Sequence, residues 1–300
     1  MASEILLALI RANIAAGAAT LMILLLRGSA RRLFGAHLAY ALWLSVPAAL
    51  LGAVFNTSAP TDPTGATTAL NHAAKTWLTG PDRAVEIFAL WLVGLTAALG
   101  FVAWSQLRFL AAARAGRAGP AVIGIIHARL VVPTDFARRF SPEERRLVRA
   151  HERAHIDRRD ARVNAVTVLV QCLGWFNPLL HIGARAMRLD QELACDATVI
   201  ARLPSDRRRY AQTLLRTQLA QGELTPLGCH WAARGIHPLE ARISMLAMAP
   251  PTQARQDIGM AVLVLLASAA VWTAWATQPP QPPWVAMVVT APVSMLLDMR

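Results

Sequence analysis

His151, Glu152 and His155 stand in the pattern His-Glu-x-x-His inside a stretch of helical character. Residues four apart lie one above the other on a helix, so both imidazoles can face one metal ion, with Glu152 beside them as a carboxylate that does not ligate. A catalytic zinc takes three protein ligands and leaves the fourth position to water. Glu192, in the stretch Arg188 to Asp196, supplies the third ligand from a second helix. Asp196, one turn further on, shares its face and is suited to hydrogen-bond a ligating histidine from behind. The chemistry of such a set is hydrolysis: Zn²⁺ makes its bound water acidic and polarises a carbonyl, while Glu152 takes up the proton and returns it to the leaving amine. Two histidines at this spacing also arise in ordinary Ala- and Arg-rich helices, and the second stretch is what favours a metal site.

The helix that carries the motif announces its own start. Ser141 is a capping residue, Pro142 suits the first helical position, and Glu144 completes a capping box. Glu143 and Glu144 also complement the positive end of the helix dipole.

Three blocks in order resemble a known family: His151 to Asp160, then Trp175-Phe176-Asn177-Pro178-Leu179-Leu180, then Glu192-Leu193-Ala194-Cys195-Asp196. They are similar to the membrane-embedded antirepressor metallopeptidases of the BlaR and MecR type, over residues 1 to 276. The resemblance implies a helical, gluzincin-like zinc peptidase whose protein substrate is a cytoplasmic DNA-binding repressor or the chain itself. The likeness stops before the extracytoplasmic penicillin-binding sensor of the β-lactam receptors. Such sensors are acylated at a serine in Ser-x-x-Lys. The single lysine here is Lys75, with His72 three positions before it, so covalent β-lactam sensing is not expected.

Composition demands a membrane. Of 300 residues, 55% are hydrophobic and 16% charged, too apolar for an ordinary soluble domain. Ile5 to Leu26, Gly35 to Phe55, Glu86 to Gln106 and Ile258 to Ala276 are each long enough to cross about 30 Å of hydrocarbon. The expected fold is mainly α, with four transmembrane helices, a helical zinc-peptidase domain and a small β-hairpin. In order it comprises residues 1–107 with three spans (about 5–26, 35–55 and 86–106) and an outer loop 56–85; a peptidase domain 108–257; a fourth span 258–276; and a short outer tail 277–300.

Charge sets the orientation. Between Arg108 and Asp257 there are 23 arginines against 13 acidic residues, so this stretch is expected in the cytoplasm and both termini outside a bacterial-type inner membrane. The net charge of +12 then has a topological origin; membrane lipid is the expected neighbour, and no direct nucleic-acid contact is expected. The three cysteines fall in the inner region, where thiols stay reduced.

Two short β-branched runs, Val122 to Ile126 and Leu130 to Val132, are expected to pair as the hairpin. Val163 to Leu180 is apolar enough to suggest another span, but a crossing there would put Glu192 and His155 on opposite sides of the membrane. It is therefore expected to be a buried or membrane-apposed helix that turns back near Asn177-Pro178. His181, Asn177 and several arginines are all open as stabilisers of the oxyanion. The rival readings are a quality-control zinc protease of the heat-shock type, which shares His-Glu-x-x-His and a distant Glu, and a non-catalytic signalling scaffold. The latter would tolerate loss of Glu152.

Overall fold

Helices dominate because the chain's apolar runs are long and its breaks are marked by Gly, Pro and Asn. A computed structural model describes residues 2–54, 83–218, 229–230 and 236–276. Among the described residues the helices are α1 (Ala2–Phe34), α2 (Ala36–Ala41), α3 (Ser45–Val54), α4 (Arg83–Arg114), α5 (Phe136–Arg139), α6 (Pro142–Asp157), α7 (Asp160–Leu173), α8 (Pro178–Arg202), α9 (Arg207–Gln218), α10 (Ile236–Ala247) and α11 (Gln253–Ala276). Residues 56–82 of the expected outer loop, residues 219–228 and 231–235 of the peptidase domain and the tail 277–300 lie outside the described residues.

Among the described residues, four stretches are long and apolar enough to cross a membrane: Ile5–Phe34, Ala36–Ala53, Arg83–Arg114 and Gln253–Ala276. α1 continues past the apolar run to end on Arg31 and Arg32, whose charges suit the negative end of the helix dipole. Gly35 follows with φ 88°, a left-handed conformation that glycine adopts without a Cβ penalty, and it turns the chain into α2.

Val163 to Leu180 is not one continuous helix. α7 stops at Leu173 with Gly174 at its cap; α8 opens at Pro178, where the Asn177 side chain accepts from Leu179 N at 3.0 Å. The chain turns back here as its sequence requires.

The sheet is small and antiparallel, in the order β2-β1-β3, with β1 at Ala121–Ile123, β2 at Arg129–Val131 and β3 at Cys229–His230. Val122 faces Leu130 on one side and Cys229 on the other. The expected hairpin forms with shorter strands, because Gly124 (φ 96°) ends the first one early. Cys229 and His230 supply a third strand beside the expected hairpin; two residues are too short a run for period-two alternation to register.

Two compact units divide the chain. The first comprises Met1–Ala19, Leu44–Ala89 and Val264–Arg300, where Leu6 and Leu7 pack against Ala84, Ile87 and Phe88. The second comprises Thr20–Trp43 and Leu90–Leu263. Its largest apolar cluster joins α6, α8, α9 and α10 through Leu147, Val148, Val199, Tyr210, Leu214 and Leu246. Leu147 is fully buried there, and its truncation to Ala would cost about 2–5 kcal/mol.

Candidate metal centre

α6 begins where the sequence places its start. Ser141 Oγ accepts from Glu144 N at 3.2 Å, and Glu144 Oε2 accepts from Ser141 N at 2.9 Å, a complete capping box. From this fixed start, His151, Glu152 and His155 all point into the second unit and are buried. α8 packs across α6 and brings Glu192 to both imidazoles.

The three side chains converge. His151 Nε2 and His155 Nε2 are 3.1 Å apart, with Glu192 Oε2 3.3 Å from the first and Glu192 Oε1 3.5 Å from the second. What lies behind each ring fixes its tautomer. Tyr210 Oη donates to Asp196 Oδ1 at 2.6 Å, so it accepts from His151 Nδ1 at 2.8 Å. His155 Nδ1 donates to Asp160 Oδ2 at 2.7 Å. Both rings therefore carry their proton on Nδ1 and turn the Nε2 lone pairs toward each other and toward Glu192.

Three acceptor atoms at that separation repel unless a cation lies among them. A tetrahedral zinc with bonds of ~2.1 Å has ligand edges of ~3.4 Å, close to all three separations. His151, His155 and Glu192 thus fit a zinc ion by donor type, tautomer and spacing, and form one of the groups able to hold a metal.

The electrostatics agree. Burial alone would raise Glu192, but the Arg242 guanidinium outweighs it and holds the carboxyl well below its ordinary range. Asp196 is depressed likewise: Arg242 outweighs its burial, with Arg242 Nε and Nη2 each 2.7 Å from a different Asp196 oxygen. Arg242 Nη1 reaches Glu192 Oε2 at 3.2 Å, so one wholly buried guanidinium clamps both carboxylates. Glu152 is the contrary case. Burial pushes it up to about 7, and neither of its oxygens has a hydrogen-bond partner among the described residues. A carboxylate so placed is free to take a proton from water.

A second group, His155, Asp160 and Cys195, lies behind the His155 ring. Cys195 Sγ is 3.2 Å from His155 Nδ1. Burial pushes this thiol up to about 12, whereas metal ligation requires the thiolate. The first group is the better metal site.

Several residues here had no role in the sequence reading. Asp160 folds back under His155 because Arg159 adopts a left-handed conformation (φ 59°) between α6 and α7. Tyr40 donates to Asp160 Oδ1 at 3.2 Å and accepts from Gln191 Nε2 at 2.9 Å. Tyr210 and Arg242 come from α9 and α10. Asp160, five positions past His155, was the one with a local signal. Of the residues open as oxyanion stabilisers, His181 and Asn177 are not brought to the site. His181 Nε2 donates to Trp175 O at 2.9 Å and Nδ1 pairs with Gln171 at 3.1 Å, while Asn177 caps α8.

Residues 7–118 and 113–246 match the BlaR1 peptidase M56 family. A 105-residue stretch, 35% of the chain, is 28% identical to the methicillin resistance mecR1 protein of Staphylococcus aureus strain Mu50 and covers 18% of it. A 98-residue stretch, 32% of the chain, is 29% identical to the regulatory protein BlaR1 of Bacillus licheniformis and covers 16% of it. The chain thus aligns with less than a fifth of the length of these relatives. The two family segments, by contrast, take in most of this chain, from the first apolar helix to α10, and the chain belongs to the BlaR1 peptidase M56 family.

Proposed function

We propose that this protein is an integral-membrane zinc metalloendopeptidase that transduces a signal by cutting a cytoplasmic transcriptional repressor, and its own chain. One observation carries the reading: two imidazoles locked as Nδ1–H tautomers turn their lone pairs on one point with Glu192, and an unpartnered carboxylate, Glu152, stands beside them. Zinc bound there would acidify a water and polarise the scissile carbonyl. Glu152 would accept a proton from that water and deliver one to the leaving amine. Asp160 and the Tyr210–Asp196 pair hold the rings in register through the reaction. The basic balance of residues 108–257 supports a cytoplasmic active site, where a repressor is in reach. The mecR1 and BlaR1 names support a regulatory substrate.

The test uses the full chain reconstituted in lipid and incubated with transcriptional repressors encoded by the same organism, with products read by mass spectrometry. Discrete cleavage by wild type and none by Glu152→Gln supports the reading. Equal cleavage by both would remove Glu152 from the chemistry.

A further inference from the structure

From Val163 to Ala184 the chain carries no Asp, Glu, Lys or Arg, yet this stretch bears large exposed apolar side chains. Val163, Val166, Leu169, Phe176 and Ile182 are 37%, 54%, 52%, 50% and 48% exposed. They lie along α7, on the turn at residues 174–177 and at the start of α8, which together form a helical hairpin. An apolar face of this kind marks a partner or a lipid.

Two independent rulers give the depth of this hairpin. Along α1, a Cβ on Gly183 would collide with the Thr20 methyl and touch the Trp43 ring, so Gly183 lies level with Thr20. Further along, Asp190 pairs with Arg31 at 2.6 Å and Arg27 at 3.3 Å, so α8 and α1 run in the same direction. Counting back from Gly183 to Pro178 puts the turn ~7 Å, at ~1.5 Å per residue, beyond the level of Thr20, a residue inside the apolar run Ile5 to Leu26. Along α4, Trp91 Nε1 donates to Leu173 O at 2.9 Å, and a Cβ on Gly94 would run into the Trp175 indole. Gly94 is two residues from Thr96, the centre of the apolar run Glu86 to Gln106. Both rulers put the turn within the apolar depth of the helices it packs against, and the one along α4 puts it at mid-bilayer.

The turn is built for that depth. Irregular backbone is tolerated among acyl chains only where its polar groups are satisfied within the protein. Gly174 N donates to Val170 O at 2.9 Å and Asn177 N to Gly174 O at 2.8 Å. Leu173 O is taken by Trp91 and Trp175 O by His181, whose other nitrogen is held by Gln171.

We propose that residues 163–182 form a re-entrant membrane hairpin, with Trp175 and Phe176 at the bilayer centre and its exposed apolar side chains solvated by lipid acyl chains. Asp160 opens one arm and Glu192 lies on the buried continuation of the other, so the hairpin fixes the height of the metal centre at ~20 Å from the bilayer centre.

The test is photolabelling of the unaltered chain in nanodiscs by a phospholipid carrying a diazirine at its acyl terminus, mapped by mass spectrometry. The label enters Leu169 and Phe176 about as often as Leu92 and Val93 of α4, and on the order of tenfold more often than Arg149 of α6. Labelling of 163–182 no higher than Arg149, with oxidation of Phe176 by water-borne hydroxyl radicals, would overturn the proposal and show a water-facing surface for a protein partner. Neither readout depends on proteolysis, so the peptidase reading stands or falls separately.

Discussion

His155 and Asp160 are joined by a 2.7 Å hydrogen bond from Nδ1 to Oδ2, across a corner that exists because Arg159 takes a left-handed conformation. The other oxygen of Asp160 accepts from Tyr40, a residue of α2, within the second apolar span. One carboxylate therefore ties a metal-facing imidazole to a membrane helix. His155 keeps its Nε2 available only while this bond holds the tautomer.

Loss of that orienting bond should weaken the metal before it disturbs the fold. Asp160→Asn is expected to reduce zinc affinity about 10- to 100-fold, the range seen when partners of ligating histidines are removed. Tyr40→Phe, which deletes one acceptance at Asp160, should act in the same direction and less strongly. Competition with a fluorescent chelator reads both. Unchanged affinity in Asp160→Asn would free His155 from this dependence.

Metal content separates ligands from the base. The purified protein should hold one zinc, and His151→Ala, His155→Ala and Glu192→Ala should each lose most of it, while Glu152→Gln keeps it. Elemental analysis of protein in detergent decides the point. Full occupancy in Glu192→Ala would exclude Glu192 as a ligand.

Arg242 should matter more to stability than its distance in sequence suggests. It is fully buried and paired with Asp196 and Glu192, so Arg242→Met leaves the buried Asp196 carboxylate without its cation and with the Tyr210 hydroxyl still donating to it. A cost of about 3–5 kcal/mol is expected. Arg242→Lys should rescue little, because an ammonium cannot reproduce the two parallel hydrogen bonds to Asp196. Thermal unfolding of both variants, each loaded with zinc, measures this. A rescue by Lys equal to wild type would argue that charge alone suffices.

Orientation in the membrane follows from the arginines. Reporters fused after Arg31 and Arg145 are expected to read cytoplasm, and those after Pro63 and Pro283 the outer side. Activity of an outer-side reporter at Arg145 would take cytoplasmic repressors off the substrate list.

The parts of the site legible in the sequence are those set by short-range geometry. His151 and His155 are one helical turn apart, and the Ser141 cap fixes where that turn falls. Glu192 and Asp196 share a face for the same reason. The turn at Asn177-Pro178 shows itself in residue types that cap and start helices. The rest depends on contacts between elements far apart in sequence. Tyr210 lies 59 positions from His151, Arg242 lies 46 from Asp196, and Tyr40 lies 120 from Asp160. Nothing local in those helices distinguishes a site residue from one that packs or faces solvent. Asp160 is the intermediate case: its type and nearness to His155 were visible, but its role needed the positive φ of an arginine.

The assignment of the metal to His151, His155 and Glu192, and not to the neighbouring His155, Asp160 and Cys195, is tested most directly by X-ray absorption at the zinc edge on the purified protein. The geometry predicts two imidazole nitrogens and carboxylate or water oxygen at ~2.0–2.1 Å with no sulfur. A sulfur scatterer at ~2.3 Å would put the ion on Cys195 and contradict the account.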